Sequence, residues 1–341
     1  MFGTIIAERI SASYNGRRGF AKNGSRGVDV AKAEQVRGML LVIAAGCCWG
    51  TSGTLQSFAP EGATPLTVGA VRAFGTGIVL LSVLLAMRGR AFFQGPWRIR
   101  PILLAGFGVA VYQLLFFASV RSIGAGIAAI LALGSAPAMA GTMGRLVFGE
   151  KLGFWWYIST ALTVCGGILL VSGGGVVAER IDPMGVLLAL AAGFAFSLEG
   201  VGIKLSGDTR TPFETITAVF VAAGVMVLPF LATPDAAWVF SPRGLLVTLA
   251  LTTFSSALGF TLFTKGLLVV GVAKSYTLSL SEPLTACLLS TFVLGQVLAP
   301  RALVGVGVIC VGIALLARDI GKDSAAAEAV LCEPTGERQA R

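Results

Sequence analysis

Between Met39 and Ala317 the chain is a succession of about ten apolar stretches, each near the ~20 residues that a helix needs to cross a hydrocarbon core about 30 Å thick. They fall at 39–58, 65–87, 101–120, 124–148, 153–171, 184–203, 213–231, 245–264, 275–294 and 300–317, separated by short polar or Pro/Gly punctuation. Composition agrees with the pattern. Hydrophobic residues make up 55% and charged residues 13%, with a mean hydropathy of +0.84, whereas a soluble domain carries about a quarter charged residues. The 45 glycines lack a collagen period and cluster inside the apolar stretches, as glycine does in membrane helices. The expected fold is an all-α polytopic membrane protein.

Several function classes fall away on residue types alone. Histidine is absent, which excludes a Ser-His hydrolase, an HExxH metalloprotease, rhomboid and site-2 protease chemistry and a histidine proton relay. Asp29, Asp182, Asp208, Asp235, Asp319 and Asp323 all lie outside the apolar stretches, so the paired aspartates of a membrane aspartyl protease are missing. The Gly321–Lys322 pair has Leu316 where a Walker A loop needs glycine. No CxxC occurs and Cys47, Cys48, Cys165, Cys287 and Cys310 sit in apolar segments, which argues against a zinc site or disulfide framework and for packed free thiols. No cofactor is implied. The net charge of +9 could suggest a nucleic-acid partner, but the basic residues lie in tails and loops.

Their distribution instead orients the chain. With the amino terminus cytoplasmic, 21 of the 26 basic residues fall on the inner side and only Arg121, Arg180, Arg243 and Arg301 on the outer side, with Arg72 inside a span. The positive-inside rule then places both termini in the cytoplasm, and the expected location is a plasma membrane of the bacterial inner-membrane kind. Residues 1–37 hold no apolar run long enough for a signal peptide; they read as a disordered basic arm, or as an over-extended start with Met39 as initiator. Residues 319–341 read as a disordered cytoplasmic tail.

The first half returns in the second at an offset of 146 to 147 residues. Ala45, Gly46, Gly53, Thr64 and Pro65 recur as Ala192, Gly193, Gly200, Thr211 and Pro212, while Ser135, Pro137, Ala140, Gly149 and Leu152 recur as Ser281, Pro283, Ala286, Gly295 and Leu298. Two units follow, 38–172 and 183–318. Five helices per unit is an odd number, so the copies must be inverted across the membrane. Inverted repeats are the architecture of secondary transporters, with a site near the midplane between the halves.

The "CCWG" of the first span, the "SAPAMAGTMGRLVFGEKL" ending the fourth and the "LSEPLTACLLSTFVLGQVL" of the ninth resemble signature segments of the EamA-type drug/metabolite transporter superfamily. The resemblance spans residues 38 to 318 and implies ten helices in two inverted repeats and a transport function. One departure is Gln296, where the first repeat has Glu150 and the family often has Glu.

A charge at the bilayer centre costs at least ~2.5 kcal/mol on insertion scales, so intramembrane ionisable residues are candidate site residues. Arg72 lies about 10 Å into the second span; it either bonds helix carbonyls or anchors an anionic or zwitterionic substrate. Glu282 precedes Pro283, which frees backbone groups beside the carboxylate, and this site either lines a cavity with a proton or substrate role or forms a structural kink. Glu199 is near Lys204, so an inner-interface salt bridge competes with a site role. Trp49, Tyr112, Gln113, Phe116 and Tyr276 are candidates for an aromatic and polar pocket or for ordinary packing. The stripe Ala128, Ala132, Ala136, Ala140 and Gly144 favours close helix approach, and its counterpart reads Lys274, Leu278, Glu282, Ala286 and Ser290.

These readings lead to a secondary carrier exporting small metabolites, amino acids or related amphiphiles, with protons as the candidate coupling ion. A channel-like carrier or lipid flippase on the same fold is the alternative. The expected partners are the bilayer and a small-molecule substrate, with a homodimer as a further option and no nucleic acid.

Overall fold

The computed structural model describes residues 24–172, 182–207, 209–295 and 299–332. Among these residues the chain is helical, with no strand. Helices α1 (Gly24–Ser57), α2 (Pro65–Arg88), α3 (Ile99–Ile123), α4 (Ala125–Phe148) and α5 (Phe154–Ser172) form the first half. The second half opens with α6 (Pro183–Ser206) and α7 (Pro212–Leu231). Next comes one long crossing made of α8 (Pro242–Ala250), a π-helical segment (Leu251–Leu258) and α9 (Gly259–Val270). Two short helices, α10 (Val272–Leu278) and α11 (Ser281–Phe292), precede α12 (Pro300–Cys332).

Eight of these crossings are long and apolar enough to span a membrane, and the apolar part of α5, Phe154–Leu170, is shorter. The remaining expected span, 275–294, is broken. Sequence alone placed a kink at Pro283; the interruption falls upstream, at Ser279–Leu280. A proline ring clashes with the carbonyl four residues earlier, here Ser279, whereas its missing N–H is harmless in the first turn of a helix. Pro283 therefore sits in the opening turn of α11, and the Ser279 carbonyl accepts from Glu282 N at 2.9 Å. The counterpart Pro137 lies inside the unbroken α4. Helix α1 begins at Gly24 and α12 continues to Cys332, so helix extends into both segments expected to be disordered. Cys47, Cys165 and Cys310 are exposed rather than packed.

Helix starts use matched chemistry in the two halves. Thr64 caps α2 by accepting from Thr67 N, with Pro65 at the first position; Thr211 caps α7 in a capping box with Glu214, with Pro212 following. Both arrangements satisfy amides that have no intrahelical partner. Asp182 caps α6 through Met184 N, and the Ser122 hydroxyl together with that amide holds its carboxyl below the ordinary carboxylate range.

The inverted repeat is visible contact by contact. α3 packs on α6 as α9 packs on α1, and α4 packs on α6 as α11 packs on α1, while α2 meets its counterpart α7 and α5 meets α12. The pairing reaches individual atoms. A Cβ on Gly46 would meet Ser281 Oγ, and a Cβ on its counterpart Gly193 would meet Ser135 Oγ, with Ser135 the counterpart of Ser281. Gly166 lies against Gly305 and Ile309, and Gly312 against Ser159 and Thr163. Small residues let these helix backbones approach where no water drives association. The alanines of the α4 stripe, Ala128, Ala132, Ala136 and Ala140, are all buried.

Candidate functional site

The two halves meet around Arg72. Its span is entered at Pro65, so two turns of α2 carry the side chain inward, where Nε donates to Ser256 Oγ at 2.6 Å. Ser256 belongs to the π-helical segment, a wide-turn element found in single stretches and often at functional sites. Neighbouring Ser255 shares a 2.7 Å hydrogen bond with Ser52 of α1, and Thr252 Oγ1 bonds the Thr248 carbonyl at 2.8 Å. Thr252, Ser255 and Ser256 are buried. Their counterparts in the first half are Ala105, Gly108 and Val109, so this hydroxyl row exists in one repeat alone. Sequence reading missed it because hydroxyl residues at helical spacing in an apolar run give no signal that a partner arginine lies across the interface.

The bond to Ser256 is the Arg72 guanidinium's one hydrogen bond among the described residues. Glu282, Tyr112 and Glu199 lie within its electrostatic range. These groups come from five different elements: α2, α3, α6, the π-helical segment and α11. The first two belong to one half and the last three to the other. Glu199 is 1% exposed and its Oε1 has no hydrogen-bond partner among the described residues. The expected interfacial pairing with Lys204 is absent. Lys204 instead bonds Glu150 at 2.5 Å, because five residues on from Glu199 it lies about 140° round the helix, near the end of α6 and beside the loop after α4. Glu282 is half-buried in the first turn of α11, directly after the break.

An aromatic wall adjoins these charges. Trp49 sits 4.7 Å from Phe260, 5.0 Å from Phe263 and 5.9 Å from Phe196, between ring centroids. Tyr112 lies 5.1 Å from Phe196 and stacks on Phe116 at 5.5 Å; Tyr276 meets Phe196 edge-on at 4.7 Å. Trp49, Tyr112 and Tyr276 are thus gathered around Phe196, a ring the sequence did not single out. Trp49 Nε1 has no hydrogen-bond partner among the described residues. The Tyr276 hydroxyl is fully used: it donates to the Phe196 carbonyl and accepts from Gly200 N at 3.1 Å. These are the two ends of a single α6 rung, so Tyr276 bolts α10 to α6 beside Glu199. Gln113 is buried on α3 with its Cβ beside Gly69 of α2, and its Oε1 is unpartnered among the described residues.

One cation within electrostatic range of two carboxylates leaves a formal negative charge over, in a setting where unpaired charge is expensive. A cationic group or a proton would offset it. Among the described residues the terminal nitrogens of Arg72 make no hydrogen bond, leaving a planar fork suited to a carboxylate. Among the described residues no group of three or more His, Cys, Asp or Glu side chains is arranged to hold a metal ion.

Paired inverted halves with charged groups at their junction define the class of membrane transporters. The EamA-like transporter family matches residues 36–172 and 183–318, one match for each half, and the chain belongs to that family. It is 37% identical over 278 residues to the uncharacterized transporter YwfM of Bacillus subtilis (strain 168), covering 81% of this chain and 92% of that protein. It is 25% identical to the threonine/homoserine exporter RhtA of Escherichia coli (strain K12), covering 80% and 88%. A solved crystal structure shares the fold with a TM-score of 0.68 at 19% identity, over 83% of this chain and 98% of that one.

Proposed function

We propose that this transporter is a secondary carrier of the bacterial inner membrane that exports small amino-acid-type metabolites by alternating access, with protons as the coupling ion. The supporting observation is the junction of Arg72 with Glu199 and Glu282 between the two halves. A zwitterionic amino acid matches it group for group. Its carboxylate suits the free edge of the Arg72 guanidinium, its ammonium suits the surplus carboxylate, and its side chain suits the ring wall of Trp49 and Phe196. The 25% identity to a protein named a threonine/homoserine exporter agrees with this substrate class. A polar site set between near-equivalent halves also favours exchange between two access states over a continuous pore.

Counterflow in proteoliposomes tests the carrier reading: radiolabelled threonine should accumulate transiently against excess unlabelled threonine inside, which a channel does not produce. In the same vesicles Glu282→Gln keeps the shape and removes the titrating group. It is expected to abolish accumulation driven by a pH gradient while retaining threonine-for-threonine exchange. Unchanged accumulation with an unchanged pH dependence would move the coupling role from Glu282 to Glu199.

The orientation is tested separately. Tags at both termini should be cytoplasmic, and a cysteine placed within residues 174–181, outside the described residues, should react with an impermeant thiol reagent added outside. The opposite labelling pattern would reverse the assignment drawn from the basic residues.

A further inference from the structure

Away from the Arg72 junction, one carboxylate ties three elements together. Glu150 follows Gly149, the left-handed cap of α4, and its Oε1 accepts from Lys204 Nζ at 2.5 Å and from Val272 N at 2.8 Å. Its Oε2 accepts from Ala273 N at 3.0 Å. The two amides open α10 and have no partner within that helix, so Glu150 supplies what the helix lacks and places a negative charge at the favourable end. Lys204 also lies 4.4 Å over the Phe148 ring. The first half, through the end of α4, is thereby fastened to two elements of the second half, the end of α6 and the start of α10.

Helix α10 is a short, buried piece set between two breaks in the helical ladder. It has seven residues. Gly271, at one end, has φ 97°, a conformation that side chains other than glycine's rarely adopt; the break at Ser279–Leu280 frees the other end. Its middle carries Tyr276, bonded to α6 beside Glu199, and Thr277, bonded to Thr160 of α5 at 3.0 Å. A cavity of about 220 Å³ lies at the Glu150 end, lined by Lys151, Lys204, Leu268, Gly271 and Lys274. The same end holds the start of the apolar part of α1, since Gly38 packs against Val269 and Val270. On the proposed orientation it is the cytoplasmic end.

The fastening has no charged twin. By the repeat offset, Glu150 corresponds to Gln296 and Lys204 to Ser57, so this ion pair cannot recur at the opposite end. We infer that Glu150 is the latch of the cytoplasmic gate. Its bonds to Lys204 and to the first amides of α10 hold that half-helix shut, and their release lets α10 turn about Gly271 and Ser279–Leu280 to open the Arg72 junction to the inside. The inference rests on the carrier reading for its meaning. Its test needs no substrate.

Hydrogen exchange read by mass spectrometry on the full chain in lipid nanodiscs gives the measurement. The informative amides are those of residues 275–280, which Glu150 does not touch. Glu150→Ala should raise their exchange rate about tenfold or more, a shift of ~1.4 kcal/mol in the opening equilibrium, while residues 159–169 of α5 exchange as in the wild type. Lys204→Met, which leaves the amide bonds in place, should give a smaller rise in the same segment. A folded Glu150→Ala protein with wild-type exchange at 275–280 overturns the latch, as does an equal rise in every helix. Should Glu150→Ala fail to fold, wild-type exchange at 275–280 in Lys204→Met overturns it. If the latch result appears and threonine counterflow does not, the substrate reading fails and the latch stands.

Discussion

Arg72→Lys is expected to leave the amount of membrane-inserted protein unchanged and to lower threonine exchange between about tenfold and a hundredfold. Lysine keeps the charge, so the balance against Glu199 and Glu282 survives and folding has little reason to suffer. What is lost is geometry. The guanidinium donates Nε to Ser256 and keeps two terminal nitrogens for a ligand; an ammonium cannot hold the serine and offer a planar fork together. A charge-assisted hydrogen bond contributes about 1.5–3 kcal/mol, and each 1.4 kcal/mol is tenfold in affinity. Threoninol, in which an alcohol replaces the carboxylate, should be carried equally poorly by wild type and variant. Parallel loss of protein and of transport would assign Arg72 to folding, and equal transport of threonine by both proteins would remove it from the site.

Gly46→Ala carries the largest structural effect. The added methyl would stand 2.1 Å from Ser281 Oγ, 3.0 Å from Glu282 N and 3.1 Å from the Ser279 carbonyl, so two of its three nearest neighbours are backbone and cannot rotate away. Overpacking at such a contact costs about 1–3 kcal/mol. The melting temperature in detergent should fall accordingly. Adding Ser281→Ala removes the nearest atom, together with its bond to the Ile43 carbonyl, and should recover part of the loss. Gly193→Ala, against Ser135 Oγ and the Ala132 carbonyl, should destabilise in the same way. Its contacts are with α4 and not with the Glu282 turn, so the two variants separate stability from transport: Gly46→Ala should slow exchange beyond what its melting point explains. Equal stability of Gly46→Ala and wild type would contradict the close approach of α1 and α11.

The repeat was legible in sequence because it is a relation between residues of one chain. Gly46 and Gly193, Thr64 and Thr211, or Gly166 and Gly312 can be paired by counting. The length and apolarity of the runs likewise settled that the fold is helical, since in lipid the backbone must satisfy itself. Arg72, Glu199 and Glu282 stood out for a similar reason: a charge in an apolar run is conspicuous wherever it points. Lys204 lies five residues after Glu199, about 140° further round the helix, so counting sets the two on different faces, but it could not name Glu150 as the partner of Lys204 or the junction as what Glu199 meets.

Tertiary structure alone decided the partners. Ser256 meets Arg72 across 184 residues, and Phe196 becomes the ring that gathers Trp49, Tyr112 and Tyr276 only when α1, α3, α6 and α10 converge. Serine and phenylalanine are common in membrane helices, so their types carry no mark of role. The π-helical segment and the break before α11 were hidden as well. Each is a local departure from regular helix tied to α1 by a side-chain hydroxyl, Ser255 to Ser52 and Ser281 to the Ile43 carbonyl. Sequence fixes such departures through contacts made across the whole fold, and those contacts exist only after the two halves have packed.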